Sequence, residues 1–352
     1  MNKTALVITD IRNNIKSGGV KTHTLDVIKF LSKTSYKVDV VVEGHKDINF
    51  IRECSKFSHV THIPHRMNYF GNNVLGFLGD YLVSRKVRKI KYNLVITNTG
   101  DVTKYWYLNV KSYKRLHIVH SLFSKKISFK NFIWKINPPK INVVTVSEFA
   151  NNLLRNNTGL KDISTIHNYS QLDFEKGIDG NNECITILTV GQLVSYKGVE
   201  DWKRVSEEIA TRHRNVKFIW VGDGPHIPVI ESRLRDRIIL AGFQSNVEPF
   251  YRSADVYYHP SHLENHSLSI LDALAKGLPI IACDVGGNAE SVDASVGELV
   301  EKGDTEAQIR ALEKIILSDK ERFKKSEQAI IKKNKLFSKD IWEINMSRLI
   351  GD

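Results

Sequence analysis

The chain has 352 residues, 41% of them hydrophobic, which is long enough for two domains with separate cores and ordinary for a soluble globular protein. Its apolar runs fall far short of the roughly 20 residues that span a bilayer, and three scattered cysteines (Cys54, Cys184, Cys283) make neither a disulfide framework nor a metal site. The net charge of +12 is uneven: residues 1–168 hold 27 Lys+Arg against 10 Asp+Glu, a net +17, and residues 169–352 hold 24 against 29, a net −5.

The chain opens on TALVIT (4–9), an apolar run closed by Asp10 and Arg12. It reads as a first core strand rather than a signal peptide, and with the cysteine pattern it predicts a cytoplasmic, reduced protein. A loop, RNNIKSGGVKTHTLD, leads into an amphipathic helix running to about Leu31. Strands are expected near 36–42, 58–63, 93–97, 115–119 and 142–146, with helical segments between most of them. Such alternation predicts a parallel sheet wound on both faces, with ligands beyond the C-terminal strand ends. Gly18-Gly19, His120 and Ser147-Glu148 fall at those ends. The glycine pair lets a phosphate approach a helix start closely, though an ordinary turn explains it as well. His120 at a strand end reads as either structural or ligand-facing. From Phe70 to Tyr92 an apolar stretch leads into a basic tail, which fits an interfacial helix or a core helix with a solvated end.

Residues 169–183, YSQLDFEKGIDGNNE, form a polar linker. The second half restarts with a strand at 185–192 that breaks at Gly191, then a helix after Lys197-Gly198. Strands follow at 217–222, 238–243, 255–259 and 278–283; Gly286-Gly287 opens a further helix carrying Glu290, and the chain is helical from about Thr305. The stretch from Val256 to Ala282, VYYHPSHLENHSLSILDALAKGLPIIA, organises this half. Glu264 sits in its loop. The amides of Asn265, His266, Ser267 and Leu268 are expected to open a helix, whose positive end favours anionic oxygens. Asp272 follows Glu264 by eight residues, on the helix. Two carboxylates around a cluster of amides suit a sugar nucleotide, hydroxyls at both ends and diphosphate between.

The motifs VGQLVSYKG (190–198), WVGDGP (220–225), LAGFQSN (240–246) and SADVYYHPSHLENHSLSILDALAKGLPIIACDVGG (253–287), with the trailing Glu290, resemble the C-terminal domain of retaining GT-B-fold glycosyltransferases, specifically glycosyltransferase family 4. More loosely, SGGV, His120, VSEFA (146–150) and His167-Asn168 resemble that family's acceptor domain, and FSKDIW its terminal crossing helix.

The resemblance implies two Rossmann-like doubly wound α/β domains facing a central cleft. The expected boundaries are 1–168 for acceptor binding, 169–335 for nucleotide-sugar binding, and 336–352 for a helix packing back on the first domain. It implies transfer of a sugar from a nucleotide sugar with retention at the anomeric carbon. Lys197 matches the donor-phosphate lysine, and Gln192 stands where the family usually has Arg, a hydrogen-bond donor without the charge. Glu264 is the first acid of the E-x7-E motif, near donor-sugar hydroxyls; Asp272 replaces the second, expected on the ribose. Backbone groups near Phe243 and Gln244 would face the base, the Gly18-Gly19 amides the diphosphate, and His120 the donor sugar. The sequence contains no D-x-D, so no metal or other cofactor is expected, the lysine and helix-start amides supplying the positive charge.

The basic first half favours an acidic partner over a merely solvated face. An anionic membrane surface fits, as does a glycan acceptor on a polyprenyl diphosphate in bacterial surface polysaccharide synthesis (O-antigen or capsule type), at the inner face of the plasma membrane. Nucleic acid is not expected, because no zinc-finger spacing or RNA-recognition aromatic motif accompanies the charge. Two alternatives stay open: a UDP-sugar 2-epimerase of the same architecture, and a non-catalytic glycosyltransferase partner.

Overall fold

The computed structural model describes residues 3–11, 19–44, 46–63, 87, 89–99, 110–120, 141–173 and 184–351. Gly18, the basic positions from Lys125 to Lys135, the part of the linker from 174 to 183 and most of the Phe70–Tyr92 stretch lie outside them. The chain divides into two compact units, residues 1–166 with 345–352 and residues 167–344. The dividing line falls within the last helix, Lys339–Ile350.

In the first unit β1 (Lys3–Ile11), β2 (Tyr36–Gly44), β3 (His59–Ile63), β4 (Tyr92–Thr99), β5 (Ser112–Val119), β6 (Asn142–Thr145) and β7 (Ile163–Thr165) form one sheet in the order β3-β2-β1-β4-β5-β6-β7. Every recorded pairing is parallel. Ala5, Leu6, Val7 and Ile8 are all buried, so the strand reads as a continuous apolar run, as a sheet covered on both faces requires. The helix Gly19–Ser32 follows β1 and buries Val27, Ile28, Phe30 and Leu31. The helix Glu148–Thr158 is opened by Ser147, whose hydroxyl accepts from the Ala150 amide, and closed by Gly159 at φ 73°.

The second unit repeats the plan. β8 (Ile185–Val190), β9 (Val216–Val221), β10 (Ile238–Gly242), β11 (Val256–His259), β12 (Ile280–Cys283) and β13 (Gly297–Val300) run parallel in the order β10-β9-β8-β11-β12-β13. Adjacent residues of each strand serve opposite faces. Ile187, Tyr258 and Ile281 join Trp202, Val205 and Ile209 of the helix Val199–Arg212 and Leu312 of the helix Thr305–Ile316. Leu188, Tyr257 and Ile280 join Leu271 and Leu274 of the helix Leu268–Ala275 and Ala329 of the helix Asp319–Leu336. Trp202 meets Trp220 edge to face at 5.3 Å between ring centres.

Both sheets therefore have the doubly wound order, with a switch point between β1 and β4 in one and β8 and β11 in the other. In sheets of this order ligands bind there, beyond the strand ends. The short strands β7 and β13 were not expected from sequence; each has only three or four residues. Among the described residues no helix is long and apolar enough to cross a membrane.

At the second switch point the loop after β8 crosses the loop after β11 at one glycine. Gly198 has φ 72°, and a Cβ there would lie 2.0 Å from the Pro260 carbonyl oxygen. Gly198→Ala should destabilise the protein by about 2–4 kcal/mol through the left-handed backbone and the overlap together. Gly303→Ala, at φ 80° with open space around it, should cost only about 1 kcal/mol. Urea unfolding midpoints of the two variants compare them.

Candidate functional site

Lys197 ends a single 3-10 turn, Ser195–Lys197, in the loop after β8. That loop is fixed from below and from the side. Leu193 is buried in the core, the Trp220 indole N–H donates to the Gly191 carbonyl at 2.8 Å, and the Leu193 amide donates to the Asp223 carbonyl at 3.0 Å. The neighbouring loop after β11 is tied to it where the His262 amide donates to the Tyr196 carbonyl at 2.8 Å. The His262 imidazole also meets the Asp201 carboxylate at 2.7 Å.

This bracing brings Lys197 to Glu264. The ammonium donates to Glu264 Oε1 at 2.5 Å, and the same oxygen meets His259 Nε2 at 2.8 Å. Burial would raise the Glu264 pKa, but the Lys197 charge and the His259 hydrogen bond outweigh it and hold the carboxyl at about 2. His259 closes β11 and is buried; that burial lowers its pKa more than Glu264 raises it, so the ring is neutral. The backbone of Glu264 is held by the loop after β12, where a Cβ on Gly286 (φ 59°) would fall 1.8 Å from the Glu264 carbonyl oxygen.

The helix that carries Asp272 starts at Leu268 with Ser267 as its N-cap. Asn265 and His266, expected among the residues opening it, lie instead in the preceding loop. The Ser267 hydroxyl makes no capping bond and pairs with the Ser269 hydroxyl at 3.0 Å, so the Ser267 side chain caps none of the first-turn amides. Asp272 stands one turn into the helix, where the Ser170 hydroxyl donates to its Oδ1 at 2.6 Å. Burial pushes Asp272 up to about 6, against the opposing pull of the Ser170 bond and the Lys276 charge. His266 is buried against the rings of His167 and Phe337, and the Asn168 amide donates to its carbonyl at 3.2 Å. His167 Nε2 meets Glu290 Oε2 at 2.7 Å, which ties the residues before the linker to the helix Asn288–Ser291.

The remaining expected residues are dispersed. Gln192 is half-buried beside Gly191 in the Lys197 loop. Phe243 and Gln244 follow β10, at the sheet edge two strands from β8, and the Gln244 amide turns back to donate to the Ala241 carbonyl at 2.9 Å. In the first unit Gly19 begins the helix after β1, at that sheet's own switch point. His120 follows β5, with Nε2 at 2.6 Å from Asn98 Oδ1. The Asn98 amide in turn donates to Thr24 Oγ1 at 2.6 Å, and Thr24 lies 3.1 Å from Thr9 Oγ1. His23 packs on His120 with ring centres 4.7 Å apart. Burial, then the neighbouring His23 and His117 rings, hold His120 well below the usual histidine value. It is a neutral hydrogen-bonding group.

Sequence reasoning did not single out His259, Ser170, Asn98 or Thr24. A signal existed for His259, a histidine ending the otherwise apolar strand VYYH five residues before Glu264. Ser170, Asn98 and Thr24 are ordinary polar residues whose partners lie 102, 22 and 15 positions away.

Two family models match the chain in tandem, Glycosyltransferase Family 4 over residues 17–173 and Glycosyl transferases group 1 over residues 184–318. Protein CapJ of Staphylococcus aureus is 25% identical over 228 residues, 63% of this chain and 55% of CapJ, so the chain spans about half of that relative. An uncharacterized glycosyltransferase of Haemophilus influenzae is 23% identical over 92% of this chain and 96% of its own length. Among solved structures, Anabaena HepE in complex with UDP and glucose matches with a TM-score of 0.77 at 16% identity, over 98% of this chain and 99% of that one. The tandem models, on two doubly wound parallel sheets, place the chain in glycosyltransferase family 4, with the GT-B fold.

Proposed function

We propose that the protein transfers a sugar from a nucleoside diphosphate sugar, UDP-linked, to a hydroxyl of a glycan acceptor, with retention of anomeric configuration and without a metal ion. The observation that carries this reading is the Lys197–Glu264 pair at the second switch point, a fixed cation and a fixed carboxylate at 2.5 Å beside the helix beginning at Leu268. Lys197 and the first-turn amides take the diphosphate, Glu264 accepts from sugar hydroxyls, and Asp272 from the ribose. In the step itself the bond from the anomeric carbon to the diphosphate oxygen breaks. The acceptor oxygen forms the new bond on the same face, and its proton passes to the leaving diphosphate. His120, neutral and bonded to Asn98, is a hydrogen-bonding group of the first unit. The UDP preference is supported by the likeness to HepE, whose structure holds UDP and glucose.

The acceptor in this reading is lipid-linked, on a polyprenyl diphosphate, and the first unit docks on an anionic membrane. The net +17 of residues 1–168 supports it, as does the N-terminal end of β4 and β5. There Lys91 lies 3.9 Å over the ring of Tyr113, which is 71% exposed.

Four outcomes are expected. Lys197→Ala weakens UDP binding by tenfold to hundredfold, roughly the loss of a charge-assisted contact, measured by calorimetry. Transfer continues in EDTA; its loss on chelation and return with Mg²⁺ or Mn²⁺ would oppose the metal-free step, and sugar turnover without acceptor would point to an epimerase. Asp272 gains its proton as pH falls through about 6, so UDP affinity declines there; Asp272→Asn flattens the profile, and Ser170→Ala moves the midpoint upward because its hydroxyl favours the carboxylate. Vesicles carrying anionic lipid bind the protein at low salt and release it at high salt; equal binding to neutral vesicles contradicts the membrane reading.

A further inference from the structure

His259 has no role in the reading above, yet it is the second donor to the carboxylate at the centre of the site. It is 2% exposed, at the last position of β11, and its Nε2 lies 2.8 Å from Glu264 Oε1. A carboxylate only accepts, so Nε2 carries the proton and Nδ1 is the bare nitrogen. Nδ1 faces the Tyr257 hydroxyl at 3.4 Å, and that hydroxyl also lies 3.3 Å from the Val190 carbonyl at the end of β8. The ring cannot readily turn, because it is stacked on Tyr257, which is stacked on Tyr251, with interplanar angles of 24° and 26°. The charged groups that face it are Glu264 and Lys197.

Both donors to Glu264 share one oxygen, and only one of them is a cation that a ligand can take away. A diphosphate carries more negative charge than a carboxylate and competes with Glu264 for the Lys197 ammonium. Without a second donor, Glu264 would be left buried and unpaired as the diphosphate arrived, and would hold the lysine back. We propose that His259 is a positioning residue for Glu264: its Nε2–H keeps the carboxylate satisfied and aimed while Lys197 is drawn to the incoming diphosphate. This rests on Lys197 and Glu264 being the donor site.

The test uses the full chain, UDP as the probe, and calorimetric affinity. His259→Leu should weaken UDP binding by about tenfold, the loss of one hydrogen bond to a charged group. His259→Gln, which keeps a side-chain N–H of similar reach, should stay within about threefold of the parent. In a Glu264→Gln background, where the neutral amide no longer retains Lys197, His259→Leu should have no further effect. A purely packing role predicts the opposite: Leu and Gln equally impaired, and the same loss in both backgrounds. Either result overturns the proposal. An NMR readout needs no ligand: the hydrogen-bonded imidazole N–H should give a slowly exchanging downfield proton signal that His259→Leu abolishes and Lys197→Ala leaves in place. If Lys197→Ala leaves UDP affinity unchanged, the donor-site reading itself fails. If Lys197→Ala weakens UDP and His259→Leu does not, only the role of His259 fails.

Discussion

A buried or half-buried carboxylate is tolerated only when its charge is answered, and in the second unit two elements from opposite sides of a switch point answer the charge of Glu264. The lysine comes from the loop after β8 and the imidazole from the end of β11, both on the same oxygen. β8 and β11 are adjacent strands whose helices pack on opposite faces, so their loops part at the switch point and face one another there. The electrostatics of the site and the winding of the chain are thus one constraint. Losing the parallel order would leave an ammonium and a carboxylate apart, each needing water.

The two acids of the site are held differently. Glu264 is answered by a full positive charge, which with the His259 bond holds its carboxyl at about 2 despite burial. Asp272 is answered chiefly by the Ser170 hydroxyl, with the Lys276 charge acting from the C-cap of its helix, and burial pushes its carboxyl up to about 6. In the proposed donor site a permanent anion would suit contact with sugar hydroxyls, and a titratable one would tie affinity to acidity. In the first unit the burial of His120 serves a third end, removing charge from a ring so that it acts as a neutral partner.

Much of this was legible in the sequence because it is local. The strands of the second sheet announce themselves as apolar runs ended by glycine or a polar turn, as at ITILTVG and KFIWVG, and the spacing of Lys197, Glu264 and Asp272 carries the family likeness. The pairing of Lys197 with Glu264 is 67 residues long-range, and nothing in a local pattern fixes which nitrogen reaches which oxygen. The start of the helix at Leu268 rather than Asn265 shows the same limit, since Glu264 is held by Lys197 and Gly286 and His266 by Asn168, all from elsewhere in the chain. β13 was missed because GELV has too few residues for a period to register, and only its register against Ile280–Cys283 makes it a strand.

The glycines at the second switch point have a further meaning. At Gly198, Gly222 and Gly286 one main chain lies directly on another, on Pro260, Gly191 and Glu264 respectively, with no side chain between. Four loops, those after β8, β9, β11 and β12, are therefore fastened through atoms that every amino acid possesses. Side chains can change without loosening that fastening, whereas lengthening any one of the four loops would unseat the others.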